Sequence, residues 1–142
     1  MSEKSLSGEV VSFLAELTAD PEFGLSTTSD PQVFQIRNHP IQIAIDDVQS
    51  QISVWAMALV DISLDDFAYE TLNRWTAFKF ARFLTINNQA IVEVVLPAHP
   101  FVPQHLLKAI LDVANALDQL DDEISTNQKF ALGGRRFRLE QN

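Results

Sequence analysis

Three histidines, three pairs of adjacent carboxylates and a late pair of glycines are the residues of this chain whose types could do chemistry. The histidines are His39, His99 and His105. Metal-binding histidines on a helix sit three or four residues apart. His99 and His105 are six apart, and His99 precedes a helix-starting Pro103, so their spacing gives no metal site. The paired carboxylates are Asp46-Asp47, Asp65-Asp66 and Asp121-Asp122. Acid–base catalysis needs two carboxyls converging across a pocket, whereas neighbours on a helix diverge by ~100°. Asp65 and Asp66 at a helix start complement the helix dipole instead. No Gly-x-Ser-x-Gly occurs, and no histidine is placed as a base partner for a serine nucleophile. With 4 Gly, two of them the adjacent Gly133-Gly134, no glycine-rich phosphate loop can be built. The expectation is a protein without catalytic residues, metal or cofactor.

Composition narrows the class further. The 142 residues suit one domain spanning 1–142, with 133–142 as a basic tail. At 46% apolar, with 10 Phe and 2 Trp, there is material for a core. The absence of cysteine excludes disulfides, thiol catalysis and cysteine zinc sites, and suits a reducing, cytoplasmic setting. Met1-Ser2-Glu3-Lys4-Ser5 leads into an amphipathic pattern rather than a signal peptide. The longest apolar run, Val54 to Val60, is too short to span a bilayer. Net charge is −9, and an acidic body repels nucleic acid and anionic membranes. Residues 124–142 reverse the sign, with Lys129, Arg135, Arg136 and Arg138 against Glu140. That tail could fold back on the acidic helix before it or grip an acidic partner. Isolated surface charges do little, which favours a solvated tail.

The elements follow from periodicity. Leu6, Val10, Phe13, Leu14 and Leu17 make one helical stripe, which Asp20-Pro21 stops. Residues 22–32 read as a loop with a short strand at Leu25 to Thr28. Val33 to Arg37 is a weak strand. Ile41 to Ile45 alternates cleanly, as does Ile52 to Asp61. Ser63 is expected to cap a helix at about 64–76, burying Leu64, Phe67, Ala68, Leu72 and Trp75. Lys79 to Ile86 and Gln89 to Leu96 flank Asn87-Asn88, residues that tolerate the positive φ of a type I′ turn. A two-residue loop sets Arg82 opposite Glu93, Leu84 opposite Ile91 and Phe80 opposite Val95. Pro103 opens a helix to about residue 121, on the stripe Leu106, Ile110, Val113, Leu117 and Leu120. The pattern continues with a break towards Leu132, and Gly133-Gly134 ends it.

This order resembles the type III secretion chaperone-like fold, in particular its YbjN-type branch. The residues that carry the resemblance are Leu72-Asn73-Arg74-Trp75, Phe83-Leu84-Thr85 and Val92-Glu93-Val94-Val95, then Asp121-Asp122 and Phe130-Ala131-Leu132-Gly133-Gly134. The match runs from about residue 60 to 137 and is topological before that. Two residues separate Phe130 from the glycine pair, where the family has Phe directly before it. The resemblance implies an α+β protein of order α-β-β-β-α-β-β-α, commonly a homodimer, that binds peptide segments or partner proteins. It implies no catalytic residues.

An antiparallel sheet with helices on one side alternates apolar in and polar out. Here the outward set is itself apolar: Trp55, Met57, Leu59, Phe80, Leu84, Ile91 and Val95. Such a face is near or above the largest patch a monomer usually exposes. Either the chain's own helices cover it, or a partner does, with self-association the first candidate. The reading is a non-enzymatic, homodimeric protein- or peptide-binding module. The alternatives are a dedicated secretion chaperone for one effector, and a small-ligand binder or enzyme with a dispersed site.

Overall fold

A computed structural model of the chain describes residues 5–21, 23–27, 32–75 and 81–137, with the side chains of 25–27, 32, 69, 72, 73 and 75 left aside. It is an α+β structure in which an antiparallel sheet carries helices on one face. The first helix, α1, spans Leu6–Leu17. The Ser5 side chain starts it by accepting a hydrogen bond from the Gly8 N–H, which satisfies one of the donors that a helix start leaves open. Four strands follow: β1 (Phe23–Thr27), β2 (Gln32–Ile36), β3 (His39–Asp46) and β4 (Gln51–Val60). Then come α2 (Asp66–Trp75), β5 (Arg82–Ile86), β6 (Gln89–Pro97) and α3 (Pro103–Thr126). A 3-10 turn at Gln128–Ala131 and a two-residue strand, β7 (Arg135–Arg136), complete the order.

The sheet runs β1-β2-β3-β4-β6-β5, with β7 paired to β4. Local chemistry sets the tight connections. Asn87 and Asn88 take φ of 50° and 62°, the two left-handed residues of a type I′ hairpin, and the ladder pairs Arg82 with Glu93 and Leu84 with Ile91 as the turn requires. Phe80 lies outside the described residues. Asn38, with φ of 70°, turns β2 into β3 in the same way.

The core lies between the sheet and the helices. Phe34, Ile36, Ile41, Ile43, Ile52, Val54, Ala56, Val92 and Val94 from the sheet cluster with Val10 and Leu14 of α1 and with the buried stripe of α3. Phe13 meets Phe101 edge to face at 6.4 Å, which ties α1 to the segment that leads into α3. No helix among the described residues is long and apolar enough to cross a membrane.

Three expectations change. The helix after β4 begins at Asp66, and its cap is Asp65, whose Oδ1 accepts from the Ala68 N–H at 2.9 Å. The Ser63 N–H instead donates to the Leu132 carbonyl. The stripe of α2 is also shallower than its sequence implies. Ala68 and Thr71 are buried, whereas Leu64 and Phe67 remain exposed at 40% and 38%. Among the described residues α2 packs on the edge strand β5, and its Phe67 ring meets Phe130 at 6.2 Å; the side chains of Leu72 and Trp75 lie outside those described. Finally, α3 runs on to Thr126, a full turn past the expected end. The chain then reverses with Leu132 left-handed at φ 57° and Gly133 at φ 80°. The glycine that has no substitute is Gly134, where a Cβ would overlap the Val60 carbonyl oxygen.

Candidate functional site: an apolar sheet face and a charged clamp

β4 alternates along its first seven residues: Ile52, Val54 and Ala56 are buried under the helices, and Ser53, Trp55 and Met57 point the other way, partly exposed. The ladder to β6 places Ser53 beside Val95, Trp55 beside Glu93 and Met57 beside Ile91. The ladder to β5 adds Leu84 beside Ile91 and Arg82 beside Glu93. Trp55, Met57, Leu84, Ile91 and Val95 therefore share the face opposite the helices. Ile91 is diagnostic of that face. It lies between Met57 and Leu84 in the ladders, is 6% exposed and stands outside the helix-packed core cluster. Val95 is 41% exposed. Arg82 and Glu93 pair at 3.0 Å across the strands, a charged couple inside the expected patch.

Leu59 does not belong to that face. The β4–β6 ladder skips a residue between Met57 and Leu59, so Leu59 stands opposite Ala90 instead of one position out of phase. A bulge inserts one residue into a strand and reverses the alternation beyond it. Leu59 is thereby turned into the core, with no exposed surface.

Within the basic tail, Arg136 is not solvated. Arg136 is 9% exposed at its side chain. Its Nε donates to Asp121 Oδ1 at 2.7 Å, and its Nη1 donates to the Ala58 carbonyl at 2.7 Å. The Phe137 N–H donates to the same carbonyl, which belongs to the residue that the β4–β6 ladder skips. The outer Arg135–Asp61 pair, at 3.5 Å, is exposed on both sides and contributes little.

Next to this clamp His39 is buried on β3, with its Nε2 2.7 Å from Asp118 Oδ1. Arg37 Nη2 lies 3.1 Å from the other oxygen of Asp118 and donates to Asn115 Oδ1. Ligand atoms of His39, Asp118 and Asp121 come within 4.8 Å of one another. Both carboxylates already face guanidinium groups, which compete with a cation for the same oxygens, so the cluster acts as a charge network that fastens α3 to β3 and β7. The sequence did not signal it, because 79 residues separate His39 from Asp118. His99 and His105 are exposed at the opposite end of α3.

A groove of about 390 Å³ runs beside the second half of β6, between Val94–Pro97 and the α3 residues His105, Lys108, Ala109 and Asp112. It is mostly apolar. Asp112 Oδ2 is buried there without a hydrogen bond among the described residues, with Lys108 Nζ at 3.5 Å. His105, Lys108 and Asp112 are the groove's polar lining residues, with Lys108 and Asp112 paired to each other.

Solved structures share this architecture, among them the following two. A chain of the ExsC–ExsE complex superposes with a TM-score of 0.56 at 12% identity, covering 84% of this chain and 96% of that one. A chain of the HopA1–SchA chaperone–effector complex does so with 0.55 at 11% identity and the same coverage. No curated protein sequence matches. A family model described as T3SS (YopN, CesT) and YbjN peptide-binding chaperone 1 matches residues 10–140. With helices on one side of an antiparallel sheet, an apolar face on the other and a match over nearly its whole length, this chain belongs to the family of type III secretion and YbjN peptide-binding chaperones.

Proposed function

We propose that this peptide-binding chaperone works as a homodimer without catalytic activity, in the cytoplasm, and that it meets its second subunit or a partner polypeptide through the sheet face centred on Trp55, Met57, Leu84, Ile91 and Val95. The observation that carries this reading is that face. Large apolar side chains from β4, β5 and β6 lie side by side opposite the helices. Apolar surface of this kind drives association because covering it removes it from water. Symmetric dimers are the commonest way for a chain to cover such a face with a copy of itself. The two similar structures come from complexes of two different proteins, one of them a chaperone with its effector, which supports a polypeptide as the further partner.

The test is sedimentation at micromolar concentration with the wild type and with Met57→Lys. A charge placed in the middle of the face is expected to leave a monomer of 15.9 kDa, while the wild type sediments at twice that mass. A wild type that stays at 15.9 kDa would refute the dimer.

A further inference from the structure

Strand β4 outlasts its neighbour β3. The β3–β4 ladder runs from Asp46↔Gln51 to Gln42↔Trp55 and stops there. Continued in register, Pro40 would fall opposite Met57, and proline has no N–H to donate. The last residues of β4 therefore present a bare strand edge on that side, the kind of edge that accepts another strand. The chain fills it with its own end: Arg135 pairs with Val60, Arg136 with Leu59, and the Phe137 N–H bonds to the Ala58 carbonyl. One buried side chain anchors this strand, through Arg136 to Asp121 and to the Ala58 carbonyl. The wall beside it is acidic. Asp118, Asp121, Asp122 and Glu123 lie along α3, and Asp118, Asp122 and Glu123 line a shallow groove of about 560 Å³. The ladder itself is only two residues long.

We infer that the Ala58–Val60 edge of β4, with Asp121 as its anion, is a strand-docking site held by the chain's own Arg135–Phe137 segment, and that an extended basic peptide of a partner protein, with an arginine at the place of Arg136, takes over this position. Both components of recognition are present. Main-chain hydrogen bonds to an exposed edge supply affinity for any extended chain, and a charged pocket at one position selects its sequence. Arginine suits the pocket because its fork can hold a carboxylate and a carbonyl together. The tethered tail competes at a high effective concentration, so it keeps free peptide out until a better ligand arrives. This rests on the reading of the chain as a peptide binder, but uses a different surface from the sheet face.

The probe is a fluorescent peptide of sequence Gly-Gly-Arg-Arg-Phe-Arg-Leu-Glu-Gln-Asn, titrated into full-length protein and read by anisotropy. Arg136→Ala in the protein releases the tail and leaves the pocket intact, so it should bind the peptide roughly tenfold or more tightly than wild type, the scale of one charge-assisted hydrogen bond. Asp121→Asn also releases the tail but removes the anion, and should show no such gain. A peptide with alanine at its second arginine should not bind Arg136→Ala. If Arg136→Ala fails to fold, Arg136→Gln removes the guanidinium from the pocket while keeping side-chain bulk, with a gain in the same direction expected. The sheet face is tested separately by wild-type sedimentation, so failure here is distinct from failure of the sheet-face reading. Equal affinity in wild type and Arg136→Ala would overturn the inference. So would equal gain in Asp121→Asn, or tail-exchanged dimers of Arg136→Ala that bind no peptide.

Discussion

At Gly134 the backbone of the last strand passes so close to β4 that a single methyl group has no room beside the Val60 carbonyl and the Asp61 backbone. Gly134→Ala must therefore push β7 away from the sheet, and overpacking of this kind costs about 1–3 kcal/mol. Gly133 is constrained differently, by φ of 80° with space limited only by the Ser63 side chain. Gly133→Ala should cost about 1–2 kcal/mol through the left-handed conformation alone. Chemical denaturation should show both losses, with Gly134→Ala also freeing Arg136 from Asp121. Thr71 is the opposite case. Its hydroxyl is buried with no hydrogen bond among the described residues, so Thr71→Val removes an unsatisfied polar group at nearly constant shape. It is expected to raise stability by about 1 kcal/mol, and a lower melting temperature would show that the hydroxyl has a partner.

At the scale of elements, β4 carries both the core and the open face, and its bulge at Ala58 separates them. Met57 and Leu59 are two apart and would share a face in a regular strand. The skipped residue puts Met57 beside Ile91 on the open side and Leu59 beside Ala90 under the helices. Leu59→Ala should then cost about 2–5 kcal/mol of folding stability and leave association per folded chain unchanged. Met57→Ala should do the reverse. Thermal melts and sedimentation of the two variants, taken together, check the assignment. The two ion pairs of this region differ in the same sense. Arg82–Glu93 is partly exposed, and its removal should change stability by no more than about 1 kcal/mol. Arg136–Asp121 is the more buried pair, and Arg136→Ala should cost more stability than Arg82→Ala.

At the scale of the whole molecule the sheet separates two environments, with helices on one side and apolar strand residues on the other. Truncating an aromatic anchor at an interface commonly costs more than ~2 kcal/mol, so Trp55→Ala should weaken self-association at least thirtyfold in sedimentation equilibrium. The elements that build this arrangement were legible in the chain because each depends on local chemistry. Alternation marked β3 and β4, Asn87-Asn88 set the register of the last hairpin, and Pro103 placed the start of α3. The same local rules brought Trp55, Met57, Leu84, Ile91 and Val95 to one face, since strand period and turn geometry together decide which way a side chain points. Tertiary structure decided the rest. Leu59 is core only because a bulge reverses its strand, and nothing in an apolar run of β-formers marks where a ladder will slip. His39 meets Asp118, and Arg136 meets Asp121 and Ala58, only once the sheet order brings β3, β4 and α3 together. Contacts between residues so far apart in the chain follow from how whole elements pack, and no residue spacing encodes them.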